Sequence, residues 1–345
     1  MKIKAILISL VLVAASSAVI TLGHEIEPDP NLKAGFSTII GVNHVGLSVE
    51  DLKRSVAFYK KSAGLNVVYP SIRDIDKSLH ATKLLDDASG RMSILKGPNG
   101  FLRIIEFEKK IPARSRKKLE AYGPGRTHIC YIAPKARPID GRFVKNGATW
   151  ESMGKAMVDM RGVGYMYGYL RDLDGLMFEI EHAPEPNFEG HMWLGHIATA
   201  TPDLTRTLEF YTKVLGYDYY RRADDLSGST YDDVVGFEGV GLHGGWFRVA
   251  PYYSLEFWQF TNPVTKPRTE LPRLNEIGYN LVALETTDID ADFNRLKSLG
   301  LALETEIVDT QDGRAFYFRD PDGNLLALME FRSGSKLSLQ AFNSN

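Results

Sequence analysis

The chain of 345 residues is long enough for two domains of ordinary size. Apolar residues make up 44% of it and charged residues 24%, the balance of a globular protein with a buried core. The formal net charge is −2 and no dense Lys/Arg stripe occurs, which leaves nucleic-acid binding without electrostatic support.

The first 23 residues stand apart. Lys2 and Lys4 precede an apolar run from Ala5 to Leu22, Ser16 and Ala18 are placed as a cleavage signal, and the acidic HEIEPDP follows. This is the pattern of a secretory signal peptide, and the run is also long enough for an uncleaved membrane anchor. Either reading puts the folded part outside the cytoplasm, and a removed leader makes it periplasmic or secreted. The single cysteine, Cys130, excludes an intrachain disulfide and reads as a small buried hydrophobe.

The alternation in GVNHVGLSV (41–49) predicts a strand, after which Asp51 caps a helix that Gly64 stops. LRIIEFEK (102–109) predicts the strand that closes this first unit. The basic run ARSRKKLE (113–120) reads as solvated. RTHICYIAP (126–134) opens a second unit, which ends in the hairpin YLRDLDGLMFEIEH (169–182), its Asp-Gly turn lying between two apolar alternations. HAPEPNFEG (182–190) is a linker. PDLTRTLEFYTKVLGYDYY (202–220) then repeats EDLKRSVAFYKKSAGLNVV (50–68) at a constant offset of 152, with seven of nineteen positions identical and His196 meeting His44. GYNLVALETT (278–287) and the hairpin YFRDPDGNLLALMEF (317–331) complete a fourth unit. The units lie near 41–109, 126–182, 193–261 and 278–332, each a strand, a helix and two or three strands.

Four βαβββ units in two pairs, each half closing on RDxDG and a strand, resemble the vicinal oxygen chelate (VOC) superfamily. That superfamily contains glyoxalase I, extradiol dioxygenases, methylmalonyl-CoA epimerase, fosfomycin-resistance enzymes and bleomycin-binding proteins. The resemblance covers essentially all of residues 41–332. It implies an α+β fold whose four modules pair into two glyoxalase-like domains, 38–183 and 191–333, after the leader (1–23) and before a tail (334–345). It also implies a metal enclosed in a cleft between paired units.

Strand parity tests the residues independently, because side chains alternate faces. His44 opposes Val45, Leu47 and Val49. Glu106 opposes Ile105 and Phe107. His128 opposes Ile129 and Tyr131, and Glu179 opposes Leu176, Phe178 and Ile180. Each first strand of this half thus supplies a histidine and each last strand a glutamate. Two imidazoles and two carboxylates suit one divalent ion such as Zn, Ni, Co, Mn or Fe(II). Glyoxalase I-like members carry a His-Glu-His-Glu set at the positions matching His44, Glu106, His128 and Glu179, whereas extradiol dioxygenases use the equivalents of His44, His128 and Glu179. In the second half His196 matches His44 and Glu256 matches Glu106, but Asn280 replaces His128 and Ala327 replaces Glu179. That half reads as a degenerate site. His191 and His243 read as surface residues.

A metal with two adjacent open positions takes two neighbouring substrate oxygens. It then supports either proton transfer at carbon with Glu179, or next Glu106, as base, or ring cleavage by O₂ with Fe(II). Tyr165, Tyr167 and Tyr169, at period two, are candidates to contact the substrate. The expected function is a divalent-metal-dependent enzyme of glyoxalase-like isomerase or lyase type. An extradiol dioxygenase and a ligand-sequestering protein are the alternatives. The expected partner is a small molecule, with the membrane involved only through an uncleaved leader and a homodimer left open.

Overall fold

The computed structural model of the chain describes residues 37–68, 70–75, 89–111, 120–160, 162–186, 188, 190–250 and 253–342. The leader and most of the basic run lie outside the described residues. Among those described, no helix is long and apolar enough to cross a membrane.

Four modules follow one another. The first runs β1 (Ile39–Ser48), α1 (Leu52–Ala63), β2 (Asn66–Val67), β3 (Arg73–Asp74), β4 (Gly90–Lys96) and β5 (Phe101–Phe107). The second runs β6 (Gly125–Pro134), α2 (Asp140–Lys145), β7 (Thr149–Trp150), β8 (Val158–Asp159), β9 (Met166–Arg171) and β10 (Met177–Ala183). The third runs β11 (Trp193–Ala200), α3 (Leu204–Leu215), β12 (Arg221–Ser227), α4 (Ser229–Val235), β13 (Gly241–Ala250) and β14 (Tyr253–Asn262). The fourth runs β15 (Gly278–Thr286), α5 (Ile289–Ser298), β16 (Val308–Asp309), β17 (Gly313–Arg319) and β18 (Leu325–Phe331).

Local chemistry starts and stops the helices. The carboxylates of Asp51, Asp203 and Asp288 accept from the amides of Arg54, Arg206 and Ala291 at 2.9, 3.0 and 3.0 Å, satisfying first-turn donors that the helix itself leaves unpaired. Gly64 and Gly216 end α1 and α3 at φ 73° and 83°, a conformation that a Cβ disfavours. Asp203→Ala should therefore lower stability by about 1 kcal/mol in urea denaturation; an unchanged midpoint would show that this cap contributes nothing.

A second tie recurs in all four modules. The amide that opens each helix donates to a side chain of the module's last strand: Leu52 to Glu106 (3.0 Å), Ile139 to His182 (3.1 Å), Leu204 to Gln259 (2.9 Å) and Ile289 to Glu330 (3.4 Å). These residues face the helix layer.

The strands form two sheets. One has the order β16-β17-β18-β15-β1-β5-β4-β2 with β3 on β4; the other has the order β12-β13-β14-β11-β6-β10-β9-β7 with β8 on β9. Within each module the first and last strands pair in parallel. The modules join through antiparallel seams, β1 with β15 and β6 with β11. The α+β fold of four βαβββ modules is therefore present, but the partition into 38–183 and 191–333 is not how the sheets close. Module one shares a sheet with module four, and module two with module three. The repeat shows which units are alike; which first strands zip together is a matter of tertiary pairing that similarity leaves open.

Within each half of the chain the two modules meet instead through their helices and turns. Tyr59 of α1 donates to Asp172 at 2.7 Å and Arg54 pairs with Asp174. In the other half Tyr211 of α3 donates to Asp320 at 3.2 Å and Arg206 pairs with Asp322. One continuous core holds Leu47, Tyr59, Phe178, Phe247, Leu284 and Phe316 together with the apolar faces of the helices. The opposite face of each sheet is left as a cup.

Candidate metal centre

The cup of the β6/β11 sheet gathers four ligand-type side chains from two modules. His128 of β6 lies opposite Ala198 of β11, and Ala198 is in turn opposite Glu256 of β14. Glu179 of β10 lies opposite Cys130 of β6, two residues from His128 and so on the same face. His196 of β11 completes the group. Its Nε2 is 2.9 Å from Glu179 Oε2, 3.4 Å from Glu256 Oε2 and 3.4 Å from His128 Nε2, and His128 Nε2 is 4.0 Å from Glu179 Oε2. All four residues are buried.

The ligand atoms of His128, Glu179 and His196 lie within 4.8 Å of one another and fit one ion, with Glu256 joined to them through His196. Ligand atoms about 2.1 Å from a metal are roughly 3.0 Å apart at right angles and about 4.2 Å apart when opposed. Glu179 Oε2 is buried, and its near neighbours are the other ligand atoms, His196 Nε2 at 2.9 Å and His128 Nε2 at 4.0 Å. Burial drives His128 down to about 3, so it is neutral, the form that ligates a metal. Burial also opposes charge on His196, but Glu256 and Glu179 outweigh it and raise His196 to about 9. Burial likewise penalises Glu179, yet His196 and His128 hold its carboxyl below the usual range. Burial, with Glu179 nearby, pushes Glu256 up. The site is thus a pair of buried carboxylates with the His196 imidazolium between them, a position that a metal ion would take over once His196 gives up its proton. Trp246 Nε1 donates to Glu256 Oε2 at 3.0 Å and Thr127 Oγ1 lies 3.1 Å from His128 Nδ1, so two of the four groups are oriented from behind.

The four residues expected from sequence do not converge. His128 and Glu179 belong to this group, but His44 and Glu106 lie in the other sheet. His44 does face a cup, where its Nδ1 sits 2.9 Å from Asn43 Oδ1. Burial, then Arg103 and Arg73, holds it well below its ordinary pKa. Glu106 faces the opposite way, as the acceptor for the first amide of α1. Burial would raise its pKa, but the Leu52 amide and Lys110 lower it. Glu106 is accordingly removed both as ligand and as base. The cup position equivalent to Glu256 is Arg103: Gly46 faces Arg103 across β1 and β5 as Ala198 faces Glu256 across β11 and β14. Leu281, opposite Gly46, takes the place of His128, and Ala327 that of Glu179. Of four positions only His44 retains a ligand type. Apolar side chains including Met92, Ile105, Phe107, Tyr317 and Met329 pack together there instead. The C-terminal segment closes that cup, with Ser338 Oγ and the Leu339 amide donating to Glu285 at 2.5 and 2.8 Å.

Above the four-residue group lies a cavity of about 340 Å³. Tyr165, Tyr167 and Tyr169 line it, as expected, and Tyr169 stacks 4.8 Å from the His128 ring. Trp246 and Trp258 form another wall, edge to face at 5.1 Å. Gly244 makes room for that pair, since a Cβ there would come within 2.6 Å of either ring. Val234 and Val235 of α4 and Phe188 of the linker also line the cavity. Cys130, expected as an inert hydrophobe, lies beside Glu179, with burial pushing its thiol pKa up.

The Glyoxalase/Bleomycin resistance protein/Dioxygenase superfamily model matches residues 193–328, the third and fourth modules. A 2-epi-5-epi-valiolone epimerase from an Actinomyces species is 26% identical over 159 residues, 44% of this chain and 86% of that protein. Glyoxalase I from Zea mays superposes with a TM-score of 0.57 at 17% identity, covering 84% of this chain and 92% of its own. A dioxygenase candidate from Bacillus subtilis superposes with a TM-score of 0.57 at 12% identity, covering 90% and 91%. The family-model match over the third and fourth modules and the epimerase relative support the vicinal oxygen chelate superfamily, and the solved structures share the fold of most of the chain.

Proposed function

We propose that the chain is a divalent-metal-dependent isomerase or epimerase that moves a proton at a carbon flanked by two substrate oxygens. The observation that carries this is the convergence of His128, Glu179 and His196 within 4.8 Å of one another, with Glu256 3.4 Å from His196, beside a cavity that Glu179, His196 and Glu256 line. These four residues would hold the ion. A divalent metal bound there supplies Lewis-acid stabilisation of negative charge on the substrate oxygens. The chain supplies the rest. Glu179 and Glu256 come from opposite sides of the cup, so one can accept a proton that the other returns, as inversion at carbon requires. Glu179 is the first base, because Trp246 holds Glu256 by a hydrogen bond. The aromatic walls limit the water that reaches the reacting carbon. The likeness to an epimerase favours this reading over ring cleavage. The leader would place the reaction outside the cytoplasm.

The test strips the purified chain of metal and reloads it separately with Ni, Co, Zn, Mn and Fe(II). Metal per chain is measured, together with solvent deuterium entering the α-carbon of dihydroxyacetone. About one equivalent of metal and metal-dependent exchange are expected. A chain that takes up no metal refutes the reading. Oxygen consumption with catechol, confined to the Fe(II) form and without deuterium exchange, assigns ring cleavage instead.

A further inference from the structure

Two arginines on the wall of the cavity have no acidic partner. Arg221 of β12 and Arg248 of β13 both line it and are half-buried. Among the described residues neither has a carboxylate within ion-pair distance, whereas Arg171 pairs with Glu151 at 2.7 Å and Arg319 with Glu304 at 3.0 Å. Each lies instead over an aromatic ring, Arg221 4.6 Å from the centre of Trp246 and Arg248 5.0 Å from that of Tyr220. A ring face restrains a guanidinium but accepts none of its forked N–H groups. Two such forks turned into a largely apolar cavity carry positive charge that the fold itself does not neutralise.

The register fixes where they stand. Arg221 lies opposite Trp246, and Arg248 is two residues beyond Trp246, so all three share the cup face. Arg248 lies opposite Ser254, and Ser254 lies opposite His196. The arginine is therefore two strand spacings from the metal-site histidine, about 10 Å between backbones. The buried acid that lines the cavity outside the four-residue group, Glu181, belongs to β10, on the far side of β6 and β11 from β13. Positive charge is thus confined to one wall. The cavity of about 340 Å³ has room for a compact ring between the arginines and the four ligand-type groups.

Building on the proposed metal reading, we infer that the substrate is a compact ring compound carrying an oxyanion, carboxylate or phosphate, which Arg221 and Arg248 grip while its vicinal oxygens lie over His128, Glu179, His196 and Glu256. This reading makes the two arginines specificity determinants rather than catalytic residues.

The test is calorimetric titration of the zinc-loaded chain with catechol, protocatechuate and the phosphonate analogue of protocatechuate. An anionic probe should bind roughly tenfold or more tightly than catechol, as a charge-assisted pair predicts, and the tighter of the two identifies the anion. In Arg221→Met and Arg248→Met the ratio should fall toward one; being a ratio within one preparation, it is insensitive to a loss of folded protein. A ratio near one in the unmodified chain, one untouched by both substitutions, or no binding of any probe overturns the inference. Titration of the metal-stripped chain separates the two readings. If metal removal weakens no probe but the anionic preference persists, the metal reading fails and the arginine subsite stands.

Discussion

His196→Ala and Glu256→Gln should each strip the chain of bound metal, whereas Glu106→Gln should retain it. His196 is the hub of the group, with its Nε2 within 3.4 Å of Glu179, Glu256 and His128. Losing it removes a ligand and widens the gap between two carboxylates that only a cation keeps together. Glu256→Gln preserves volume and an acceptor for Trp246 but discards the charge. Loss of groups that merely orient a ligand costs ten- to a hundredfold in metal affinity, so loss of a ligand should exceed roughly a hundredfold. Glu106→Gln keeps the acceptor that the Leu52 amide uses, and Gln259 already performs that task for Leu204 in module three. Competition with a chelator, followed by elemental analysis of the desalted protein, gives the answer. Metal lost from Glu106→Gln but kept in His196→Ala would return the site to the other sheet.

The contrast shows where sequence reasoning reaches and where it stops. The four units, the aspartate caps at Asp51 and Asp203 and the cup-facing position of His44 and His128 are all legible, because each depends on local period and capping chemistry. Glu179 is legible for the same reason. Glu106 is misread because β5 is apolar on both faces: Leu102 and Ile104 belong to the helix-side core, while Ile105 and Phe107 fill the cup. Parity against Ile105 and Phe107 therefore puts Glu106 on the helix side, where it ties α1. It stands three residues beyond the cup position, an odd step that reverses the face. The same step separates Glu179 from His182, Glu256 from Gln259 and Ala327 from Glu330. The overlooked signal is Arg103, a cation where a metal ligand would have to be. Asn280 is misaligned by one residue, since Leu281 occupies the register of His128. Pairing of modules one with four and two with three leaves no trace in either period or repeat. It is decided by the β1/β15 and β6/β11 seams, contacts between segments far apart in sequence.

Arg295→Met should destabilise the chain by about 3–5 kcal/mol, the cost of leaving a buried charge without its partner. Arg295 of α5 donates to the carbonyls of Lys213 and Val214, at the end of α3, at 2.8 and 2.7 Å, and to Asp292 at 2.9 Å. A cation at that end also complements the partial negative charge of the α3 carbonyls. Asp292 is 1% exposed and accepts from the hydroxyls of Thr38 and Thr286, both at 2.7 Å. Methionine fills a similar volume but leaves the Asp292 carboxylate with two hydroxyls and no cation, and two α3 carbonyls with no donor. Because the carboxylate carries most of the cost, Asp292→Asn added to Arg295→Met should recover part of it. The bond network joins module three to module four, hence one sheet to the other, without touching the cup. Urea denaturation should therefore show a lower midpoint for Arg295→Met while metal per folded chain stays that of the unmodified protein. A midpoint within 0.5 kcal/mol of the original, the scatter of ordinary surface substitutions, would mean that solvent reaches Asp292 and that the halves are held together by the apolar core alone.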